Sequence, residues 1–259
     1  LVQELENELK KQINAKSIQN YLIKGPRGIG KTNLLRMILN RMFSDSLLSR
    51  AFLPLSFAEE EYSIITLRDF FIKILELLHI FRIDNDEISQ AFQNYSQETD
   101  DETATENTIS FLKNLAKKNN IKFLLLIDNF DLIFGDQIRQ PAAAHRLRDV
   151  LMNNNFMLLI GTTPTYFADV MQYDEPLYNF FKLYDLDEFD LGTMESLLIK
   201  RAQFDNNVEL AERIPKFRSR LEGLRHLTGG KPAAGADALS TDSPGRTAGS
   251  KSYAKHVIG

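Results

Sequence analysis

Residues 25–32 read Gly25-Pro26-Arg27-Gly28-Ile29-Gly30-Lys31-Thr32. Three glycines ahead of one lysine and one hydroxyl have a specific physical use. Glycine tolerates positive φ and leaves the backbone N–H groups uncovered, so a short loop can turn several of them inward. The residues before the loop, 20–24, predict a short buried strand. Those after it, 31–44, predict a helix with Leu34, Leu35, Ile38, Leu39 and Met42 on one side. Such a helix aims its free N–H groups and positive dipole end at the same spot. Lys31 then supplies a point charge for the β- and γ-phosphates, and Thr32 a hydroxyl for Mg²⁺. The stretch fits G-x-x-x-x-G-K-[ST], and Gly25 through Asn33 are the expected contacts of a nucleoside triphosphate.

A triphosphate cradle needs a second acid for its magnesium shell. KFLLLIDNFD, residues 122–131, places Asp128 at the mouth of an apolar strand, where it can hold a magnesium-bound water beside Thr32. Taken alone, Asp128 also reads as a strand-ending residue that starts a turn. Many P-loop ATPases carry Glu directly after this Asp to orient the attacking water. Here the residue is Asn129, which cannot accept a proton, and Asp131 becomes the candidate base. Slow turnover, or a role dominated by binding, is the expectation. The next apolar strand, FMLLIGTT (156–163), ends at Thr162-Thr163-Pro164. Thr162 is a candidate to hydrogen-bond the γ-phosphate or the water; ordinary loop capping by a threonine is the competing reading. Arg146 and Arg148 could offer an arginine finger to a neighbouring subunit, but a solvated basic helix face is the favoured reading. Arg27 is expected at the flank of the phosphates. The histidines are scattered, and none has ligand spacing.

The remaining elements must position these groups. Residues 2–14 carry Val2, Leu5, Leu9 and Ile13 at helical spacing. Residues 51–57 are a plausible strand, which Pro54 weakens or moves toward the edge of a sheet. Residues 65–81 predict a strongly apolar helix. Residues 84–107, with the acidic run SQETDDETATEN, read as a surface loop or excursion, followed by a helix over 108–118. A helix around 143–153 separates the two apolar strands, and 180–186 offer a third. Residues 191–205 and 206–228 are helical and more polar. Apolar strands of this kind are buried on both faces, and their alternation with helices predicts a doubly wound parallel sheet. From Pro232 the composition turns to Ala, Gly and Ser, so 232–259 are expected to be disordered, as an out-of-frame or foreign tail would be.

Composition narrows the function classes. The 259 residues are 43% hydrophobic and 25% charged, which is ordinary globular composition and fits one large domain, alone or with a smaller one. A net charge of −4 gives no support to a polyanion-binding surface, DNA included. There is no cysteine, so disulfides and thiolate metal sites are excluded, and a cytoplasmic location is the expectation. No apolar run reaches the roughly 18–20 residues of a membrane helix, and the amphipathic N-terminus has no signal-peptide core.

GPRGIGKT, LLLIDNFD, LLIGTTPT and the later LTGGKP together resemble the STAND branch of AAA+-like P-loop ATPases of bacteria and archaea, over roughly residues 1–232. The resemblance implies an α/β fold: a three-layer αβα core over 1–186 with strand order 5-1-4-3-2. It also implies a small helical lid-like domain over 187–231. It implies Asp128 as the magnesium residue, Thr162 as a sensor at a strand end, and Pro232 of Gly230-Lys231-Pro232 near the adenine. Proteins of this kind resemble switches that ADP holds closed and ATP opens or oligomerises. The sequence departs from the pattern in lacking a Gly-Arg-Glu-like motif upstream and in having Ala233 where an arginine often follows. It carries no output domain after residue 232, so a C-terminally truncated ATPase is the expectation. Two alternatives stand beside the switch: an AAA+-like ATPase acting on DNA, of origin-recognition or transposition-helper type, and a binding-only remnant without turnover.

Overall fold

The structure, a computed structural model, describes residues 1–59, 61–80, 86–138 and 140–228. Among them are five strands: β1 (Asn20–Lys24), β2 (Phe52–Ser56), β3 (Lys122–Ile127), β4 (Met157–Thr163) and β5 (Phe181–Asp185). They form one sheet in the order β2-β3-β4-β1-β5, with every neighbouring pair parallel. Read from the other edge, this is the expected 5-1-4-3-2. Pro54 lies on β2, an edge strand, where its missing N–H costs the ladder least.

Side-chain alternation along β3 explains the layers. Phe123, Leu125 and Ile127 belong to one buried cluster, Leu124 and Leu126 to another. The strand is apolar throughout because both of its faces are covered. On one face lie α1 (Val2–Gln12), α2 (Lys31–Ser44) and α3 (Ser46–Ala51), which contribute Leu5, Leu9, Leu34, Leu35, Ile38, Met42 and Leu48. On the other lie α4 (Leu67–Ile80), α6 (Asp101–Asn119) and α7 (Pro141–Asn153), with Phe70, Phe71, Ile74, Leu112 and Leu147 among the buried residues. Helix α5 (Asp86–Gln97) packs on α4 and α6, and a short α8 (Ala168–Met171) follows β4. The result is a three-layer αβα sandwich.

The reading of 84–107 as a loop is corrected. Residues 86–97 form α5, and the acidic run enters α6, which starts at Asp101. The Asp100 side chain accepts from the Thr103 backbone N–H at 2.7 Å and so caps the helix. Asp101 and Glu102 fill its first turn, and Lys117 and Lys118 its last, matching the helix dipole at both ends. The buried stripe of the first turns is Ala104, Thr105 and Thr108, too small and polar to register as an apolar face. Both threonine hydroxyls donate to carbonyls four residues back, at 2.7 Å, which lets them be buried.

The chain divides into two compact units, Leu1–Asp187 and Glu188 onward. In the second, α9 (Leu191–Phe204), α10 (Val208–Arg213) and α11 (Arg218–Thr228) enclose a small core of Met194, Leu198, Ala202, Ala211, Ile214 and Leu221. Pro232, Ala233 and the tail 232–259 lie outside the described residues.

Candidate functional site

The carboxyl ends of β1, β3 and β4 stand side by side. Ile23 is in register with Thr162 and Lys24 with Thr163, while Ile127 is in register with Gly161. In a parallel sheet this is where loops gather around a ligand. The loop 25–30 leaves β1 here, tied to β4 by the Gly25 N–H on the Thr163 carbonyl at 3.0 Å.

The glycines are required by the backbone. Gly28 and Gly30 have φ of 83° and 103°, in the left-handed region. Gly25 is crowded: a Cβ there would lie 2.9 Å from both the Leu186 Cβ and the Ile29 Cγ2. Helix α2 begins at Lys31, and its N-cap Gly30 offers no side-chain acceptor to the first-turn N–H groups. Those donors stand ready for an anion.

Lys31 is buried, and its Nζ donates to the Gly25 carbonyl at 2.8 Å and the Pro26 carbonyl at 3.3 Å. Burial pushes its ammonium below the usual lysine range, against the attraction of Asp128 and Asp131. One residue on, the Thr32 hydroxyl donates to Oδ2 of Asp128. Oδ1 of the same carboxylate accepts from the Thr162 hydroxyl and, at 3.1 Å, from the Asn129 backbone N–H. Thr32 from a helix, Thr162 from a strand and Asp128 from the turn after β3 therefore meet at one carboxylate that is only 6% exposed. Thr162 is fully buried, and its proton is spent on Asp128. The hard-oxygen pair of Thr32 and Asp128 fits the donor set that Mg²⁺ takes.

Asp131 is placed differently. It follows the left-handed Asn129 (φ 52°), is half-buried, and its Oδ1 has no hydrogen-bond partner among the described residues. Burial pushes its carboxyl above the ordinary aspartate value, with the Thr163 hydroxyl opposing. Asn129 turns its side-chain amide to the Glu59 carbonyl at 3.1 Å. Arg27 and Asn33 are exposed, and the Asn33 amide lies 3.8 Å from the Met37 sulfur. Ile29 is buried and Pro26 half-buried.

The two arginines of α7 are committed elsewhere. Arg146 is ion-paired with Glu106, and Arg148 donates to the carbonyls of Pro176 at 2.7 Å and Tyr178 at 2.9 Å. Neither has the look of a finger held in reserve. Sequence reasoning missed a cluster at the same end of the sheet: Lys24 pairs with Asp185 at 2.5 Å and lies over the Tyr166 ring at 4.5 Å. Burial first, then Asp185, pushes the Tyr166 phenol up to about 12. The available signal was positional, since Lys24 and Asp185 are the last residues of adjacent strands.

No family model matches the sequence, and no curated protein matches it. Solved structures do. The ORC1 protein of Aeropyrum pernix, in complex with DNA, superposes with a TM-score of 0.56 at 15% identity, over 78% of this chain and 48% of that one. The Aeropyrum pernix ORC2 protein, with ADPNP and ADP, gives 0.55 at 13% identity, over 92% and 66%. A Walker-type ATPase of Pyrococcus abyssi gives 0.51 at 14% identity, over 92% and 71%. The chain thus spans about half the length of the ORC1 protein it matches. At such identities the likeness is one of fold, the five-stranded parallel αβα sheet described above.

Proposed function

We propose that the chain binds ATP, hydrolyses it slowly with Mg²⁺, and acts as a nucleotide-dependent molecular switch. The observation that carries this reading is the meeting of Thr32 and Thr162 on the Asp128 carboxylate, beneath a loop with two left-handed glycines. Gly25–Asn33 would hold the nucleotide, with Lys31 exchanging its two carbonyl partners for phosphate oxygens. Thr32 and Asp128 would hold the magnesium, which when bound neutralises charge on the phosphate oxygens. Thr162 would keep Asp128 oriented. Asp131, with one shielded oxygen free, would take the proton of the attacking water. Asn129 offers no base directly after Asp128, which supports slow turnover. The helical unit after Asp187 would serve as a lid, with Pro232 near the adenine, and ATP binding would favour homo-oligomers. No helix among the described residues is long and apolar enough to cross a membrane, and a cytoplasmic location is part of the proposal.

The test is a single-turnover assay with Mg-ATP and excess protein, beside Lys31→Ala. Slow ADP formation that the variant abolishes is the expected result. ATP bound but left whole would reduce the reading to binding alone, and no binding at all would overturn it. A second reading, an ATPase acting on DNA, draws on the likeness to the ORC1 protein solved with DNA. Salt-sensitive DNA binding by this chain would favour it.

A further inference from the structure

The amino end of the same sheet carries a second concavity, a cleft of about 760 Å³. It is floored by the starts of β3 and β4 and walled by the C-terminal ends of α1, α3, α6 and α7. The six residues of β3 separate it from Asp128, a span of roughly 20 Å. It is therefore a different site from the nucleotide cradle.

Its lining is one-signed. Lys16, Arg50, Lys113, Lys117 and Lys122 contribute five cations, five asparagines add amide donors, and no carboxylate is among the lining residues. This occurs in a chain whose net charge is −4. Lys122 serves the fold, since its Nζ donates to the Gln12 carbonyl at 2.7 Å and the Ala15 carbonyl at 3.4 Å. The other four are exposed and make no ion pair within the described residues. Two acids, Glu106 and Asp149, line an adjoining recess of about 230 Å³ that shares Lys113, Asn153 and Asn154 with the cleft, and Glu106 is already paired with Arg146.

Helix dipoles account for part of this charge. Four helix C-termini bring roughly −0.5 each, about two charges in all. Five cations exceed that, so a positive surplus remains inside a concave wall, where field lines concentrate.

We propose that this cleft binds a compact polyphosphate anion. Four free cations around one recess call for a ligand with several negative charges. Phosphate oxygens also accept from the asparagine amides. The volume lies within the range of small-molecule sites, roughly 300–1,000 Å³. A nucleic-acid strand fits less well, because the one aromatic side chain in the lining, Phe156, is 5% exposed and offers no stacking face.

The experiment is isothermal titration of inorganic tripolyphosphate, without divalent metal, into the Lys31→Ala protein, which disables the nucleotide cradle. Circular dichroism checks that each variant is folded. Saturable binding of one tripolyphosphate is expected. Lys113→Glu and Lys117→Glu, both on the exposed face of α6, should each weaken it by roughly tenfold or more. Lys200→Glu, an exposed cation of the second unit, should leave it unchanged. Absence of saturable binding overturns the proposal, as does binding indifferent to the Lys113 and Lys117 reversals. Citrate binding as tightly would show that phosphate is not what the cleft selects. Single-stranded oligo-dT binding more tightly through the same lysines would make the occupant a nucleic acid. Either result also overturns the proposal.

Discussion

The two ends of one sheet are built on opposite terms. At the carboxyl end the polar groups are buried and spent on one another: Asp128 takes donors from Thr32, Thr162 and the Asn129 backbone, and Lys31 from inside the loop caps two carbonyls. At the amino end four cations stand in solvent without acid partners. Burying a charge is costly unless hydrogen bonds satisfy it, so the first arrangement fixes geometry in advance. The second fixes little and attracts charge through the field of the whole wall. Chemistry on a phosphate needs the first kind of site; capture of a polyanion can use the second. Asp131 is the exception at the carboxyl end, because it is shielded yet has an unpartnered oxygen.

That exception gives the largest expected effect. Asp131→Asn keeps the shape and removes the proton acceptor. In single-turnover assays ADP formation should fall by roughly 10²–10⁴-fold, the usual worth of a positioned base. ATP affinity should change by no more than about threefold, because in the proposed reading the loop and Lys31, and not Asp131, would hold the phosphates. An unchanged rate would remove Asp131 from the chemistry and leave the carboxyl end as a binding site alone.

A smaller effect is expected at Thr162. Replacement by Val preserves volume but leaves Oδ1 of Asp128 one donor short at a buried contact. An unmet hydrogen bond there costs about 1–3 kcal/mol, which urea denaturation would read as a lower midpoint at unchanged slope. A midpoint that does not move would mean that the three-donor arrangement is not what holds Asp128, and the contrast between the two ends would weaken.

The carboxyl end was legible because its parts are consecutive. The glycines and lysine of 25–32 lie in one loop, and Asp128 closes a run of buried apolar residues whose two-sided packing is written in its composition. The αβα layers followed from the same runs. Helix α6 was not legible over its first turns, because its buried stripe is Ala104, Thr105 and Thr108 and its exposed face is acidic. Helices α3 and α5 were hidden for a related reason: each buries very little, Leu48 in the first, Ile88 and Ala91 in the second. The cleft at the amino end draws its lining from residues 13–16, 47–51, 113–122 and 152–156. No spacing rule joins segments so far apart, and only the ladder of β2, β3 and β4 brings them together. The shielding of Asp131 is likewise a product of packing and has no signature in DNFD itself.

The smallest expected effects concern stability at the amino end, and they test whether its cations are there for the fold. Lys117 lies in the last turn of α6, where its charge meets the negative end of the helix dipole. Lys117→Glu should therefore cost about 0.3–1 kcal/mol. Lys113 lies a turn earlier, beyond the reach of that end effect, and Lys113→Glu should stay within about 0.5 kcal/mol, as exposed substitutions usually do. Urea denaturation at low salt orders the two, and at high salt the gap between them should close as the dipole term is screened. Losses of several kcal/mol, of the size that about 2–5 kcal/mol for Leu126→Ala in the buried strand β3 sets as a scale, would make these lysines part of the scaffold. The surplus of charge would then be explained by folding, and the two ends of the sheet would differ in exposure alone.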